Sequence, residues 1–263
     1  MKPADVLVRR IREINAQGRA ALCGYFLAGY PNPDIFYRAV RAADALDVIE
    51  YGVPADDPTI DGTTIDEAHR VVTHQQGIHV EPALALIGGV DAPQPSFVMT
   101  YTQVGRELQG FLRLCAQNDL SGVLVPDVDP GEGRFVADGA RALGLAVISL
   151  ADARASREQL ERTALDSDVV YLKVASGSTG EVLDLASQRQ RIETALGYLH
   201  TARPDLLVAA GIGVQTPEHV AALADLGVNM IVVGTKVVEH TTFGPVSLSR
   251  YLATLHEATQ GSA

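Results

Sequence analysis

The sequence predicts an α/β fold, a (β/α)₈ barrel with an additional N-terminal helix, and three observations lead there. The first is a recurrence of eight short apolar runs: ALCGYFL (21–27), DVIEYG (47–52), SFVMTY (96–101), GVLVPD (122–127), AVISL (146–150), DVVYLKV (168–174), LLVAAG (206–211) and NMIVVG (229–234). The second is what separates them. Segments such as PDIFYRAVRAADAL, GRELQGFLRLCAQNDL, REQLERTAL, QRQRIETALGYLHTA and TPEHVAALADLG carry apolar residues every three or four positions. Strand-length runs alternating with helical periodicity build parallel βαβ units. The third is length, since 263 residues accommodate eight such units and lie near the ~250 residues typical of a closed TIM barrel. An open doubly wound sheet would place a glycine-rich turn after its first strand, whereas this chain has AGYPNP there. One domain over residues 1–263 is expected.

The chain begins with MKPADVLVRRIREINAQGRA, in which Leu7, Ile11 and Ile14 share one face of a helix with charges between them. It lacks the long apolar centre of a signal peptide, and we read it as an amphipathic helix covering one end of the core. The long gap between the second and third apolar runs contains Pro82, Pro93 and Pro95. It reads as extra helix, without a low-complexity linker.

Composition narrows the function. Hydrophobic residues at 47% and charged residues at 20% suit a globular protein with a sizeable core. No apolar run approaches the ~18 residues that span a bilayer. A formal net charge of -11 argues against nucleic acid and anionic membranes as partners, because both need clustered Lys and Arg. An anionic ligand would therefore be held by backbone groups. Cys23 and Cys115 lie in apolar segments without metal-ligand spacing, consistent with a reduced, cytoplasmic setting. His69 and His74 stand at i, i+5, which does not put two ligands on one helix face, and Ser176 and Ser178 lack a nucleophile-elbow context. Metal, nucleophilic serine and flavin or nicotinamide chemistry are not expected, and no cofactor is expected.

In such barrels the active site forms at the C-terminal ends of the strands and in the loops that follow. The stretch IEYGVPADDPTIDGTTID, Ile49 to Asp66, falls there. Glu50 lies inside the strand and should point into the barrel if it shares a face with Val48. A carboxylate so placed is costly unless paired, protonated or functional. It reads as a general acid or base, or else as a structural acid bonded to a hydroxyl. Asp61 precedes a glycine, so it is either a turn former or a second acid over the same pocket. Glycines cluster after the late strands, Gly177 and Gly180, Gly211 and Gly213, and Gly234 with Thr235. Phosphate-binding barrels present backbone N–H groups and a helix N-terminus at this place.

At these residues the chain resembles the α subunit of tryptophan synthase, the indole-3-glycerol-phosphate lyase family. YFLAGYPNPD is similar to that family's first-strand signature, and IEYGVPADDPTIDGTTI to its stretch holding both acids. VMTYTQV, VLVPDVDP, YLKVASGSTG, AAGIGVQTPEHV and IVVGTKVV resemble further segments, so the likeness runs from about Gly24 to Val238. The resemblance implies retro-aldol cleavage of indole-3-glycerol phosphate to indole and glyceraldehyde 3-phosphate without a cofactor. It implies Glu50 as the acid/base for indole C3 and the substrate hydroxyl, Asp61 as the acid on the indole N–H, and Tyr171 as the tyrosine beside the substrate. It further implies Phe26, Tyr101 and Leu124 in the indole slot, Gly180, Gly211, Gly213, Gly234 and Thr235 in the phosphate cradle, with Ile212 between its glycines, and Thr179 on a loop closing over Asp61.

Departures from the family pattern fall in loops. Thr63 stands for a proline, Ala55-Asp56 for an aromatic-serine pair, Gln103-Val104 for Asn-Pro, Val174-Ala175 for Ser-Arg, and Ile212 for a phenylalanine. The loops that communicate with the β subunit match poorly. The resemblance thus leaves two settings open, an α subunit working with a β-type subunit and a stand-alone homologue releasing free indole. A non-catalytic phosphate-binding barrel and an aldol-type enzyme on another phosphorylated substrate are the alternatives.

Overall fold

A computed structural model describes residues 2–105, 108–128, 130–175 and 182–261. Eight strands, β1 (Ala21–Leu27), β2 (Val48–Gly52), β3 (Ser96–Met99), β4 (Gly122–Leu124), β5 (Ala146–Asp152), β6 (Val169–Lys173), β7 (Leu207–Gly211) and β8 (Met230–Val233), pair in sequence order into a closed barrel. Each pairing is parallel, with β1 closing on β8 through Ala21 opposite Met230. The helices are α1 (Pro3–Asn15), α2 (Pro33–Arg41), α3 (Thr63–Arg70), α4 (Val80–Gly88), α5 (Leu108–Gln117), α6 (Pro130–Ala142), α7 (Arg157–Asp166), α8 (Leu185–Ala202), α9 (Pro217–Asp225), α10 (Thr235–Phe243) and α11 (Pro245–Glu257). The expected (β/α)₈ barrel is what forms, and the gap after β2 holds α3 and α4. No described helix is long and apolar enough to cross a membrane.

Local chemistry starts several helices. The Asn32 side chain accepts the Ile35 N–H at 3.0 Å ahead of α2, and Ser156 with Gln159 closes a capping box at α7. Such caps satisfy first-turn amides that the helix itself leaves unpaired.

The period of two along each strand divides the core. One set, including Cys23, Tyr25, Val48, Phe97, Ile148, Val169, Ala209 and Val232, fills the barrel interior. The other, including Leu22, Phe26, Ile49, Tyr51, Val98, Val147, Val170 and Ile231, packs outward against the helices. Leu7, Ile11 and Ile14 of α1 are buried with the interior set, so the N-terminal helix plugs the end of the barrel remote from the strands' C-termini. Burying each of these side chains contributes roughly 1.5–3 kcal/mol. Asp47, at the start of β2, is buried there too. It accepts two hydrogen bonds from Arg19, at 2.6 and 2.8 Å, and one from the Leu22 N–H at 3.0 Å.

Two glycines at strand ends make room for tyrosines. A Cβ on Gly52 would lie 2.1 Å from the Tyr25 hydroxyl oxygen, and one on Gly211 would lie 2.2 Å from that of Tyr171. Neither ring can retreat into a packed interior without displacing neighbours. Gly52→Ala is therefore expected to lower the stability of the fold by ~1–3 kcal/mol, read as a reduced urea midpoint with an unchanged m-value.

Candidate active site

At the C-terminal mouth of the barrel lies a pocket enclosing about 550 Å³, its opening included. Strands supply its floor: Tyr25 from β1, Glu50 from β2, Met99 from β3, Leu124 from β4, Leu150 from β5 and Tyr171 from β6. The loop after β2 brings Ile60 and Asp61 over one side, and the loop after β7 brings Ile212 to Gln215 over the other. Met99, Leu124, Leu150 and Ile212 thus make part of the lining an apolar slot, and Glu50 and Asp61 line the same pocket.

Glu50 is buried, 4% exposed. Burial, followed by the negative charge of Asp61, pushes its carboxyl up from the ordinary value to about 8. At neutral pH Glu50 therefore carries a proton it can give away, and near pH 8 it can take one back, the poise wanted in a general acid/base. Asp61 is held differently. Its Oδ2 accepts a 2.6 Å hydrogen bond from the hydroxyl of Tyr101, and its own N–H donates to the Pro58 carbonyl at 3.1 Å. His69 Nε2 lies 3.6 Å from the same Oδ2. The hydroxyls of Tyr25 and Tyr171 are kept protonated, chiefly by burial and then by neighbouring charge, Asp61 first for Tyr25 and Glu50 first for Tyr171. The pocket thus offers one protonated acid, a second carboxyl group held by a hydroxyl donor, and two neutral hydroxyls.

The opposite rim is backbone. Ile212 and Gly213 both take positive φ, 65° and 95°, which turns the peptide chain sharply after β7. Gly234 and Thr235 open α10 beside it. First-turn amides have no partner within their own helix, and they favour an anion. This is how a chain of net charge -11 can hold a phosphate without an arginine cluster. The positive φ at a β-branched residue is costly; Ile212→Gly is expected to relieve ~1 kcal/mol of that strain but to lose a buried side chain whose removal costs ~2–5 kcal/mol, so measured stability should fall while the opened slot raises substrate KM.

The structure brings Glu50, Asp61, Tyr171, Leu124, Ile212, Gly213, Gly234 and Thr235 to one pocket. Gly211 stands one step back, as the space that admits the Tyr171 ring. Tyr101 lies behind Asp61 as its hydrogen-bond donor rather than in the slot. Phe26 requires correction: its side chain faces outward into the layer between barrel and helices, and the aromatic at the pocket is its neighbour Tyr25. All of β1 is buried, as both faces of a barrel strand are, so apolarity alone does not tell inward from outward residues. Thr179 and Gly180 lie outside the described residues. Unforeseen in the sequence were Ile60, Ile65, Met99, Leu150 and Gln215 in the lining and His69 behind Asp61.

The chain matches the model of the family described as tryptophan synthase alpha chain over residues 11–259. It belongs to the tryptophan synthase alpha chain family. Relatives of that name include one from Halorhodospira halophila, 31% identical over 86% of this chain and 84% of its own. Another, from Thermobifida fusca, is 31% identical over 88% and 86%. Among solved structures, that of Mycobacterium tuberculosis tryptophan synthase superposes with a TM-score of 0.87 at 27% identity, covering 97% of this chain and 98% of that one. A tryptophan synthase alpha-subunit from Pyrococcus furiosus gives 0.78 at 26% identity, covering 90% and 98%. This member of the family is a carbon–carbon lyase, cleaving indole-3-glycerol phosphate to indole and glyceraldehyde 3-phosphate.

Proposed function

We propose that Glu50 and Asp61 divide the proton and charge work of this cleavage, and the observation that carries the reading is their convergence on one pocket with Glu50 protonated at neutral pH. The indole ring enters the slot between Leu124, Leu150, Met99 and Ile212, and the phosphate meets the amides of Gly213, Gly234 and Thr235. Glu50 delivers its proton to indole C3, converting the ring to an indoleninium. Asp61 accepts the ring N–H and stabilises the positive charge that appears there. Glu50, now a carboxylate, removes the proton from the hydroxyl on the neighbouring side-chain carbon. The C–C bond breaks, its electrons return to the ring, and the aldehyde forms with Glu50 reprotonated. Tyr171 sits beside Glu50's end of the pocket and orients the hydroxyl of the substrate.

The relatives' names place such chains in tryptophan synthase, and a β-type subunit is the proposed partner. A feature of this chain favours independence from it. The Gln103 side chain donates to the Asp57 carbonyl, and the Ala55 N–H donates to His69 Nδ1 at 2.9 Å, so the loop after β2 is fastened from within. The deciding assay is indole release from indole-3-glycerol phosphate by the purified chain, alone and with a tryptophan synthase β subunit. Release by the chain alone, unchanged on addition, supports a stand-alone lyase. Activation of about fivefold or more identifies an α subunit coupled to its partner, and no release in either condition overturns the site assignment.

A further inference from the structure

We infer that His69 is a positioning residue for Asp61, holding that carboxylate toward the substrate through a ring N–H whose position the loop after β2 fixes. The inference rests on the role proposed for Asp61 above. His69 sits on α3, eight residues after Asp61, and is 1% exposed. Its Nδ1 accepts the Ala55 backbone N–H at 2.9 Å. A ring nitrogen that accepts a donated hydrogen bond carries no proton, so the proton of the neutral imidazole stands on Nε2. Nε2 faces Asp61 Oδ2 at 3.6 Å and the Tyr25 hydroxyl at 3.4 Å. The first distance is longer than a hydrogen bond, and such contacts in a ligand-free site commonly tighten when substrate arrives.

The surroundings leave the imidazole little other work. It meets the Tyr101 ring edge-on, with centroids 6.4 Å apart, so His69 stands beside the hydroxyl donor of Asp61. The titratable groups facing it are Tyr25 from β1, Asp61 itself and Tyr101 after β3. Asp66 and Glu67 of α3 lie toward solvent, and each pairs with Arg70. Ala55 belongs to the loop in which this chain departs from the family pattern. Its amide ties loop position to the imidazole tautomer. If the loop lifts, Nδ1 loses its donor and the ring is released to rotate away from Asp61.

The test is a double-mutant cycle on indole release with His69→Asn and Asp61→Asn, begun by confirming release from the unmodified chain. Asn at 69 can still accept the Ala55 N–H but does not reach Asp61. We expect His69→Asn alone to lower kcat about tenfold, the scale of one hydrogen bond to a charged group, with KM little changed and the acid side of the kcat–pH profile moved to higher pH. On the Asp61→Asn background the same change should cost less than about twofold. Equal losses on both backgrounds, with the acid side unmoved, would overturn the inference and leave His69 as packing. If His69→Asn does not fold, His69→Gln, which cannot hold the Ala55 N–H and reach Asp61 at the same time, enters the same cycle and should lower kcat more on the unmodified than on the Asp61→Asn background. Absence of release from the unmodified chain would instead strike the site assignment itself.

Discussion

Glu50→Gln should lower kcat for indole release about a thousandfold and leave KM within about threefold, the signature of losing a general acid/base that acts in the transition state. Gln preserves the shape and buried volume of the side chain but can neither give a proton to indole C3 nor take one from the substrate hydroxyl. The pH dependence follows from the same group. The reaction starts with Glu50 protonated, so kcat/KM should fall on the basic side of about pH 8, and the residual activity of the variant should lose that limb. Stability depends on the same proton. The folded carboxyl holds its proton to about 8 whereas the unfolded one releases it near 4.5. The folded state therefore binds more protons across that window, and stability declines as pH rises through it. Glu50→Gln removes this loss, so the variant should be more stable than the unmodified chain at pH 9 by roughly 2–4 kcal/mol while matching it near pH 4. A variant equally unstable at pH 9, or one of undiminished kcat, would refute the assignment.

The barrel was legible because its signals are repeated: eight apolar runs with helical spacing between them leave few ways to pair strands. Glu50 was legible for a related reason, since a carboxylate inside an apolar strand breaks the pattern and demands an explanation. The late glycines, too, could be read as a group by their place after the last strands. Individual orientations were not accessible in the same way. β1 is apolar at all seven positions, so nothing in the sequence says that Tyr25 faces in and Phe26 out; register with β2, where Tyr25 lies opposite Glu50, decides it. His69 and His74 lack metal-ligand spacing, and the meaning of His69 depends on an amide, Ala55, fourteen residues earlier. Contacts between a loop backbone and a helix side chain leave no periodic trace, and tertiary structure alone exposes them.

Asp61→Asn should lower kcat about 10²–10³-fold, again with KM little changed. The substrate's ring nitrogen is neutral before C3 is protonated, so the ground state needs only an acceptor for its N–H, which the Asn oxygen still provides. Positive charge on the ring appears in the transition state, and there a neutral amide replaces the carboxylate. Orientation is a smaller share of the effect. Tyr101→Phe removes the 2.6 Å hydrogen bond that aims Asp61 but keeps the charge, so its loss should stay near tenfold. The second effect of Asp61→Asn falls on its neighbour. Asp61 is the charge that, after burial, raises Glu50 toward 8. Without it Glu50 ionises more readily, and the basic limb of the residual activity should move to lower pH. The limb position is thus a direct reading of how close the charge of Asp61 lies to Glu50. A loss confined to KM, or a basic limb that stays in place, would mean that the charge of Asp61 serves neither the ring nor Glu50.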